Sequence, residues 1–257
     1  VVIDRESSME TGNEGGRRLR TDGRGPEELR PITFRRDFLE NPFSSCLVTM
    51  GRTMVLCTVT IVDDVPQFLR GKNSGWVTSE YSMLPGSGST RAIRDRNKVT
   101  ASGRTLEIQR MIGRSIRAVV DLGLLGQRTV WIDCDVLQSD GGTRTAAVNG
   151  ASVAFHDAMS RMVAGGLVKR SPMKELIGAV SVGIISDFPL LDLSYEEDSR
   201  AEVDMNLVMT ESGKLVEIQG TAEGEPFDRG DLETFLEMGE KGIKEILQVQ
   251  RESLGRG

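Results

Sequence analysis

The alternation of apolar and polar positions becomes regular only from Arg20 onward. Residues 46–50 and 53–62 are two β-branched-rich runs separated by Gly51 and Arg52, the pattern of a hairpin. A further strand is predicted at 75–83. Between 105 and 122 the period changes. There Ile108, Met111, Ile112, Ile116, Val119 and Val120 recur at steps of three and four, with Glu107, Arg110, Arg114 and Arg117 on another face, which predicts an amphipathic helix. Residues 128–138 alternate again, with Val130, Ile132, Cys134 and Val136 on one side and Trp131, Asp133 and Asp135 on the other, as in a half-buried strand. Beyond it the pattern predicts a helix at 146–162, strands at 176–185, 190–195, 203–210 and 214–219, and a closing helix at 231–254.

Strand-rich stretches followed by helical ones thus occur twice, although no repeat of the sequence itself is visible. Residues 1–19 are polar and glycine-rich without periodicity and are expected to form a disordered tail. We take residues 20–165 as a first unit and 166–257 as a second that ends in the closing helix.

Composition narrows the class and leaves the function open. At 257 residues, 38% hydrophobic and 27% charged, the chain can bury a core of ordinary globular kind. It contains no apolar run of membrane-spanning length and its first residues lack a signal-peptide core, so a cytoplasmic protein is expected, with no membrane partner. Cys46, Cys57 and Cys134 are odd in number, lack metal-type spacing and sit in strand-like runs, as core thiols would. The single histidine, His156, cannot form a two-imidazole acid–base pair.

Charge is more informative by position than in sum. The net value is −6, yet residues 70–117 hold ten Lys/Arg against three Asp/Glu, and residues 187–240 hold sixteen Asp/Glu against three Lys/Arg. Such polarity suits a protein that grips a polyanion with one region and a cation with another; it equally describes two solvated faces. The stretch PGSGSTRAIRDRNKVTASG (85–103) has no periodicity and is longer than most structureless loops, which marks it as functional.

Two local patterns carry candidate chemistry. Strand 128–138 is followed by Asp140, Gly141, Gly142, Thr143 and Arg144 and then by a helix. Glycines let backbone approach an anion, a first helical turn offers unpaired N–H groups, and Thr143 and Arg144 add a hydroxyl and a guanidinium. The P-loop spacing is absent, and a Gly-Gly turn before a helix is common on its own. The second pattern is DLSYEEDSRAEVDMN, which packs Asp192, Glu196, Glu197, Asp198, Glu202 and Asp204 into thirteen residues. On a strand, Val203 and Met205 face one way and Asp204 and Asn206 the other, so Asp204 can point to a site that Asp198 reaches from a loop. Two such carboxylates either share a magnesium ion with waters and phosphate or form an acidic surface turn. Asp133 and Asp135 leave the same choice open.

Six stretches in order, RTDGRGPEELRP (20–31), GWVTSEYSMLP (75–85), SGRTLEIQRMIGRSIRAVVDL (102–122), IDCDVLQSDGGTRTA (132–146), YEEDSRAEVDMN (195–206) and EIQGTAEGEPF (217–227), resemble the bacterial ribonuclease PH family. The resemblance implies an α+β fold of two β-α-β-α units with a left-handed βαβ crossover, forming one compact domain. It also implies a homohexamer built as a trimer of dimers. The implied activity is that of a phosphate-dependent 3′-to-5′ exoribonuclease, a nucleotidyltransferase that trims the 3′ ends of tRNA precursors, releases nucleoside diphosphates and can run in reverse. Ribosomal RNA would be a further substrate.

Carried onto this chain, the family's catalytic positions are Arg104, Thr143, Arg144, Asp198 and Asp204. Arg104, Gly142, Thr143 and Arg144 would bind inorganic phosphate, the co-substrate, and Asp198 and Asp204 would serve Mg2+ or proton donation. RNA would be gripped by Arg91 and Arg94, with Arg96 and Lys98 as further cations. One departure is Gly86, where the family commonly has arginine; weaker tRNA binding is expected from it. Two rivals remain to be separated by experiment: a metal-dependent hydrolytic exoribonuclease, and a non-catalytic RNA-binding ring subunit, which would be expected to lack some of these five side chains.

Overall fold

The computed structural model describes residues 20–93 and 102–256; the tail predicted at 1–19 lies outside them, as do Arg94, Arg96 and Lys98. The described residues form a first sheet from β1 (Ile32–Arg36), β2 (Ser44–Met50), β3 (Thr53–Val62), β4 (Trp76–Met83) and β5 (Thr129–Gln138). A second sheet contains β6 (Ile177–Ile185), β7 (Phe188–Leu191), β8 (Val203–Thr210) and β9 (Leu215–Ala222). The helices are α1 (Gly103–Ala118), α2 (Thr143–Ala164), the single turn α3 (Tyr195–Asp198) and α4 (Arg229–Ser253).

In the first sheet the strand order is β1-β2-β3-β5-β4, antiparallel except for β4 and β5, which run parallel because α1 carries the chain back between them. The predicted hairpin is present, with Met50 opposite Thr53. The second sheet is antiparallel, in the order β7-β6-β8-β9. This is the α+β class expected, with one continuous apolar core reaching across both sheets.

Helix α2 lies between the two layers, against β2 and β3 on one side and β6 on the other. Sixteen of its 22 residues are buried, so small side chains are required nearly all round. A Cβ at Gly150 would stand 2.7 Å from both the Cys57 Sγ and a Val48 methyl, which explains glycine in mid-helix there. Polar residues of α2 also complete β6, whose first half lacks a strand neighbour on the β7 side. Asn149 accepts from the Ala179 N–H (2.8 Å) and donates to its carbonyl (2.9 Å), while Ser152 accepts from the Ile177 N–H (3.2 Å). Each pairing spares buried backbone a desolvation cost of about 1–3 kcal/mol.

Several predicted boundaries move. The strand expected at 190–195 stops at Leu191, because Asp192 turns into the left-handed region (φ 53°) with its carboxylate drawn to Arg30, and Tyr195 already opens α3. Asp198 therefore closes a helical turn and is not on a loop. The helix expected at 105–122 ends at Ala118, and the one expected from 146 begins at Thr143. Strand β1 had no strong apolar signal of its own, since only Ile32 and Phe34 face inward.

Candidate active site

Six separate segments converge at one cleft of about 370 Å³: the start of α1, the start of α2, the middle of β6, the end of α3, the start of β8 and the end of β9. Among its lining residues are Arg104, Gly142, Thr143, Arg144, Asp198 and Asp204. The positions singled out for phosphate and for the carboxylate pair thus share one wall-to-wall space, although 100 residues of chain separate Arg104 from Asp204. Arg91 is exposed on the loop after β4 and does not line the cleft.

The glycine turn sets the geometry of the α2 end. Gly141 and Gly142 both take positive φ (76° and 62°), conformations that side chains with a Cβ adopt only under strain. Gly142 is the N-cap of α2 and no side chain caps the helix, so its leading N–H groups face the cleft without that competitor. Thr143 is buried, and its Oγ1 accepts a hydrogen bond from the Tyr81 hydroxyl (2.8 Å). Burial pushes the Tyr81 phenol above its ordinary pKa, so it remains a donor; with that lone pair taken, the Thr143 proton is free to point elsewhere.

Arg144 donates from Nη1 to the Gln219 side-chain oxygen (2.7 Å), and the Gln219 amide nitrogen donates to Glu107, one turn beyond Arg104 on α1. A guanidinium held at Nη1 keeps its Nε–Nη2 edge available for a bidentate anion. Tyr81, Glu107 and Gln219 had not been singled out from the sequence. Their partners lie 62 to 112 residues away, and no local spacing announces them.

Across the cleft, Asp198 and Asp204 are both half-buried, and Asp204 sits on β8. Among the described residues its Oδ1 is buried without a hydrogen-bond partner, and Oδ2 has only a long contact (3.4 Å) from the Asn206 amide. Burial pushes its carboxyl above the ordinary value and the Asp198 charge adds to this, while Arg144, the Asn206 hydrogen bond and Arg104 oppose it. Desolvated carboxylate oxygens beside a second carboxylate are chemically suited to a divalent cation or a shared proton. Among the described residues there is no group of three or more His, Cys, Asp or Glu side chains placed to hold a metal, so any ion here would rest on this pair, water and substrate oxygens. Asp133 and Asp135 point away from the cleft, on the sheet face opposite α2 with Glu80; burial first, then the Glu80 charge, pushes both upward, and Asp135 adds to the rise at Asp133.

Comparison with known proteins agrees with this architecture. The model of domain 1 of the 3′ exoribonuclease family matches residues 28–160, and that of domain 2 matches residues 175–242. The ribonuclease PH of Bacillus velezensis is 54% identical over 238 residues, covering 92% of this chain and 97% of that one. The Bacillus subtilis enzyme of the same name is 53% identical with the same coverage. Among solved structures, the Archaeoglobus fulgidus exosome with RNA bound to the active site superposes with a TM-score of 0.77 at 21% identity, covering 92% of this chain and 93% of that one. Rice (Oryza sativa) Rrp46 does so at 0.74 and 20%, covering 91% and 100%.

Proposed function

The chain belongs to the ribonuclease PH family of 3′ exoribonucleases, and from that premise we propose how its residues perform the reaction. It is a phosphate-dependent 3′-to-5′ exoribonuclease, a nucleotidyltransferase that processes the 3′ ends of tRNA precursors. In the forward direction an oxygen of inorganic phosphate attacks the phosphorus of the last linkage. The bond from that phosphorus to the penultimate 3′-oxygen breaks, the 3′-oxygen takes a proton, and the terminal nucleotide leaves as a diphosphate.

The difficulty is electrostatic, since an anionic nucleophile must approach an anionic diester. Fixed positive charge and preorganised N–H groups relieve that repulsion without reorganising during the reaction. Arg104 and Arg144 supply the charge, the Gly142 turn and first N–H groups of α2 supply dipoles, and Thr143 supplies a hydroxyl donor held in place by Tyr81. Opposite them, Asp204 with Asp198 holds the proton that the leaving 3′-oxygen requires, or the cation that replaces it. Asp198 and Asp204 would be the protein ligands of Mg2+, consistent with the unpartnered Asp204 Oδ1; when bound, the ion neutralises charge on the phosphoryl oxygens.

The observation that carries this reading is the meeting of the two arginines and the glycine-capped helix with the carboxylate pair across a single cleft. The test is incubation of a tRNA bearing extra 3′ nucleotides with and without phosphate. Nucleoside diphosphates released only with phosphate, and lost in Arg104→Ala and Arg144→Ala, support it. Monophosphates released without phosphate would identify a hydrolytic enzyme.

RNA outside the cleft would be gripped by Arg91, Arg94, Arg96 and Lys98, whose loop leads into Arg104 on α1. Family membership also supports a homohexamer assembled as a trimer of dimers, to be checked by sedimentation, and a place in the cytoplasm; no described helix is long and apolar enough to cross a membrane. Residues 20–165 and 166–257 remain our division into units, each with its sheet and closing helix.

A further inference from the structure

Behind the cleft lies a set of buried charges that the reaction does not use. Arg20, Arg24 and Arg30, all from the segment before β1, meet Asp192 and Glu197, and all five side chains are more than nine-tenths buried. A buried ion pair is seldom a net gain in stability over apolar packing of equal volume, so its placement asks for another reason.

Arg30 and Asp192 are at the centre. The Asp192 carboxylate accepts three hydrogen bonds from this one residue: from the Arg30 backbone N–H (2.8 Å), Nε (2.9 Å) and Nη2 (2.6 Å). Its carbonyl accepts from Arg20 (2.9 Å) and Arg24 (3.1 Å), which holds its left-handed backbone in place. The remaining Arg30 nitrogen, Nη1, donates to the carbonyl of Asp140, the residue before Gly141. A Cβ on Gly142 would stand 2.9 Å from Arg30 Nη2, and one on Gly141 would stand 2.6 Å from the backbone of Leu193, Ser194 and Tyr195. The glycine turn that opens α2 is therefore pressed against the backbone that opens α3, and a single guanidinium ties the two together. On the α3 side, Arg20 grips Glu197, the residue next to Asp198, through Nε (2.6 Å) and Nη2.

We propose that Arg30 and Asp192 are positioning residues that hold the phosphate-binding turn (Gly141–Gly142) and the segment bearing Asp198 and Asp204 at one fixed spacing. The proposal rests on the phosphorolytic reading above. Arg30 does not itself line the cleft; its guanidinium acts through the glycine turn on one side and Asp192 on the other. Slack in this tie would change the distance from the α2 N–H groups to the carboxylates, and misplacement by about 1 Å can cost a reaction of this kind roughly 100-fold.

The Arg36–Asp157 pair provides the comparison. It is also bidentate (2.7 and 2.8 Å), with Asp157 buried, but joins β1 to α2 away from the cleft. Arg30→Lys, Arg30→Gln, Asp192→Asn and Asp157→Asn would be assayed for kcat, KM for phosphate, RNA affinity without phosphate, and thermal midpoint. Lysine keeps the charge of Arg30 but cannot reach Asp192 and Asp140 together. The expected result is that the Arg30 and Asp192 variants lose on the order of 100-fold in kcat/KM for phosphate with RNA affinity unchanged, while Asp157→Asn loses thermal stability and stays within about twofold of the parent rate. Equal rate losses at both pairs, or folded Arg30 variants with parental phosphate kinetics, would overturn the proposal. Should the Arg30 variants not fold, Arg20→Lys loosens α3 and the Asp192 backbone while leaving the Arg30–Asp192 side-chain bonds in place, and is expected to show the same selective loss to a smaller degree; an unchanged rate there would equally overturn it. A parent protein that releases no diphosphate defeats the phosphorolytic reading instead, and calorimetric phosphate affinity of Arg30→Lys, expected to fall at least tenfold below the parent, then decides this proposal separately.

Discussion

Asp204 places a carboxyl oxygen without a hydrogen-bond partner in the wall of a charged cleft, a cost that folding alone gives no reason to keep. Because burial and Asp198 raise its pKa, the folded state at neutral pH carries a charge it disfavours. Asp204→Asn is expected to raise the thermal midpoint at pH 7 without added divalent cation. The gain should shrink as pH falls and vanish below the ordinary value of 3.8, where both states are protonated. The same variant is expected to lose roughly 100-fold or more in kcat, the scale of a positioned proton donor. A midpoint that drops at pH 7 would contradict this account of the residue. Tyr81→Phe, which removes the donor to Thr143, is expected to cost about 1 kcal/mol of stability and to raise KM for phosphate several-fold, checked by denaturant titration and phosphate kinetics. At this scale the sequence was informative where chemistry is contiguous, as in Gly142 to Arg144. It was silent on Tyr81, Gln219 and Arg30, whose roles exist only once distant strands and turns are brought together.

Helix α2 illustrates what a hydrophobic pattern can and cannot reveal about an element. Its length was nearly legible, but nothing in its pattern marks a polar residue such as Asn149 as buried until β6 supplies backbone groups for it to serve. The β-turn-helix order around 138–146 was visible, whereas the end of β7 at Leu191 was not, since a buried carboxylate and not a loop residue stops the strand. Gly150→Ala separates two opposing effects. Alanine gains up to about 1 kcal/mol of helix propensity, but its Cβ would press on Cys57 and Val48 at 2.7 Å, an overpacking that costs roughly 1–3 kcal/mol. Net destabilisation is expected, read from the urea midpoint; a stabilised variant would mean that α2 can lift off β2 and β3. Helix α3 makes a second test. Burial raises the Glu197 pKa, but the Arg20 hydrogen bond, the Ser194 N–H and the nearby guanidiniums outweigh it and hold the group below its ordinary 4.5. Its contribution to stability is thus present above that value and lost as pH falls through the lower folded one. Glu197→Gln should therefore narrow its stability deficit against the parent in acid, measured by thermal midpoints from pH 7 down to about pH 3.

For the whole molecule, a net charge of −6 conceals a division of labour between a basic stretch at 70–117 and an acidic one at 187–240. The fold brings the ends of these stretches to one cleft, with Arg104 from the first and Asp198 and Asp204 from the second. Fold class followed from the family resemblance and the two halves of similar plan from element order, while the juxtaposition of the two charge sets required the crossing of chains that no linear pattern contains. Gly86 lies on the loop after β4 in open space, where a Cβ would meet nothing within 4 Å. Gly86→Arg is expected to bind tRNA more tightly and to steepen the dependence of log affinity on log salt by about 0.7, the contribution of one added phosphate contact on single-stranded RNA. Unchanged affinity at matched salt would show that this loop position does not face RNA.

The central claim is that orthophosphate itself is the nucleophile held between Arg104, Arg144 and the α2 terminus. The most direct measurement follows radiolabelled orthophosphate during trimming of a tRNA precursor with extra 3′ nucleotides. The account predicts that label appears in the terminal phosphate of the released nucleoside diphosphates, one labelled phosphate per nucleotide removed. Shortening of the RNA with all label remaining as free phosphate would contradict it.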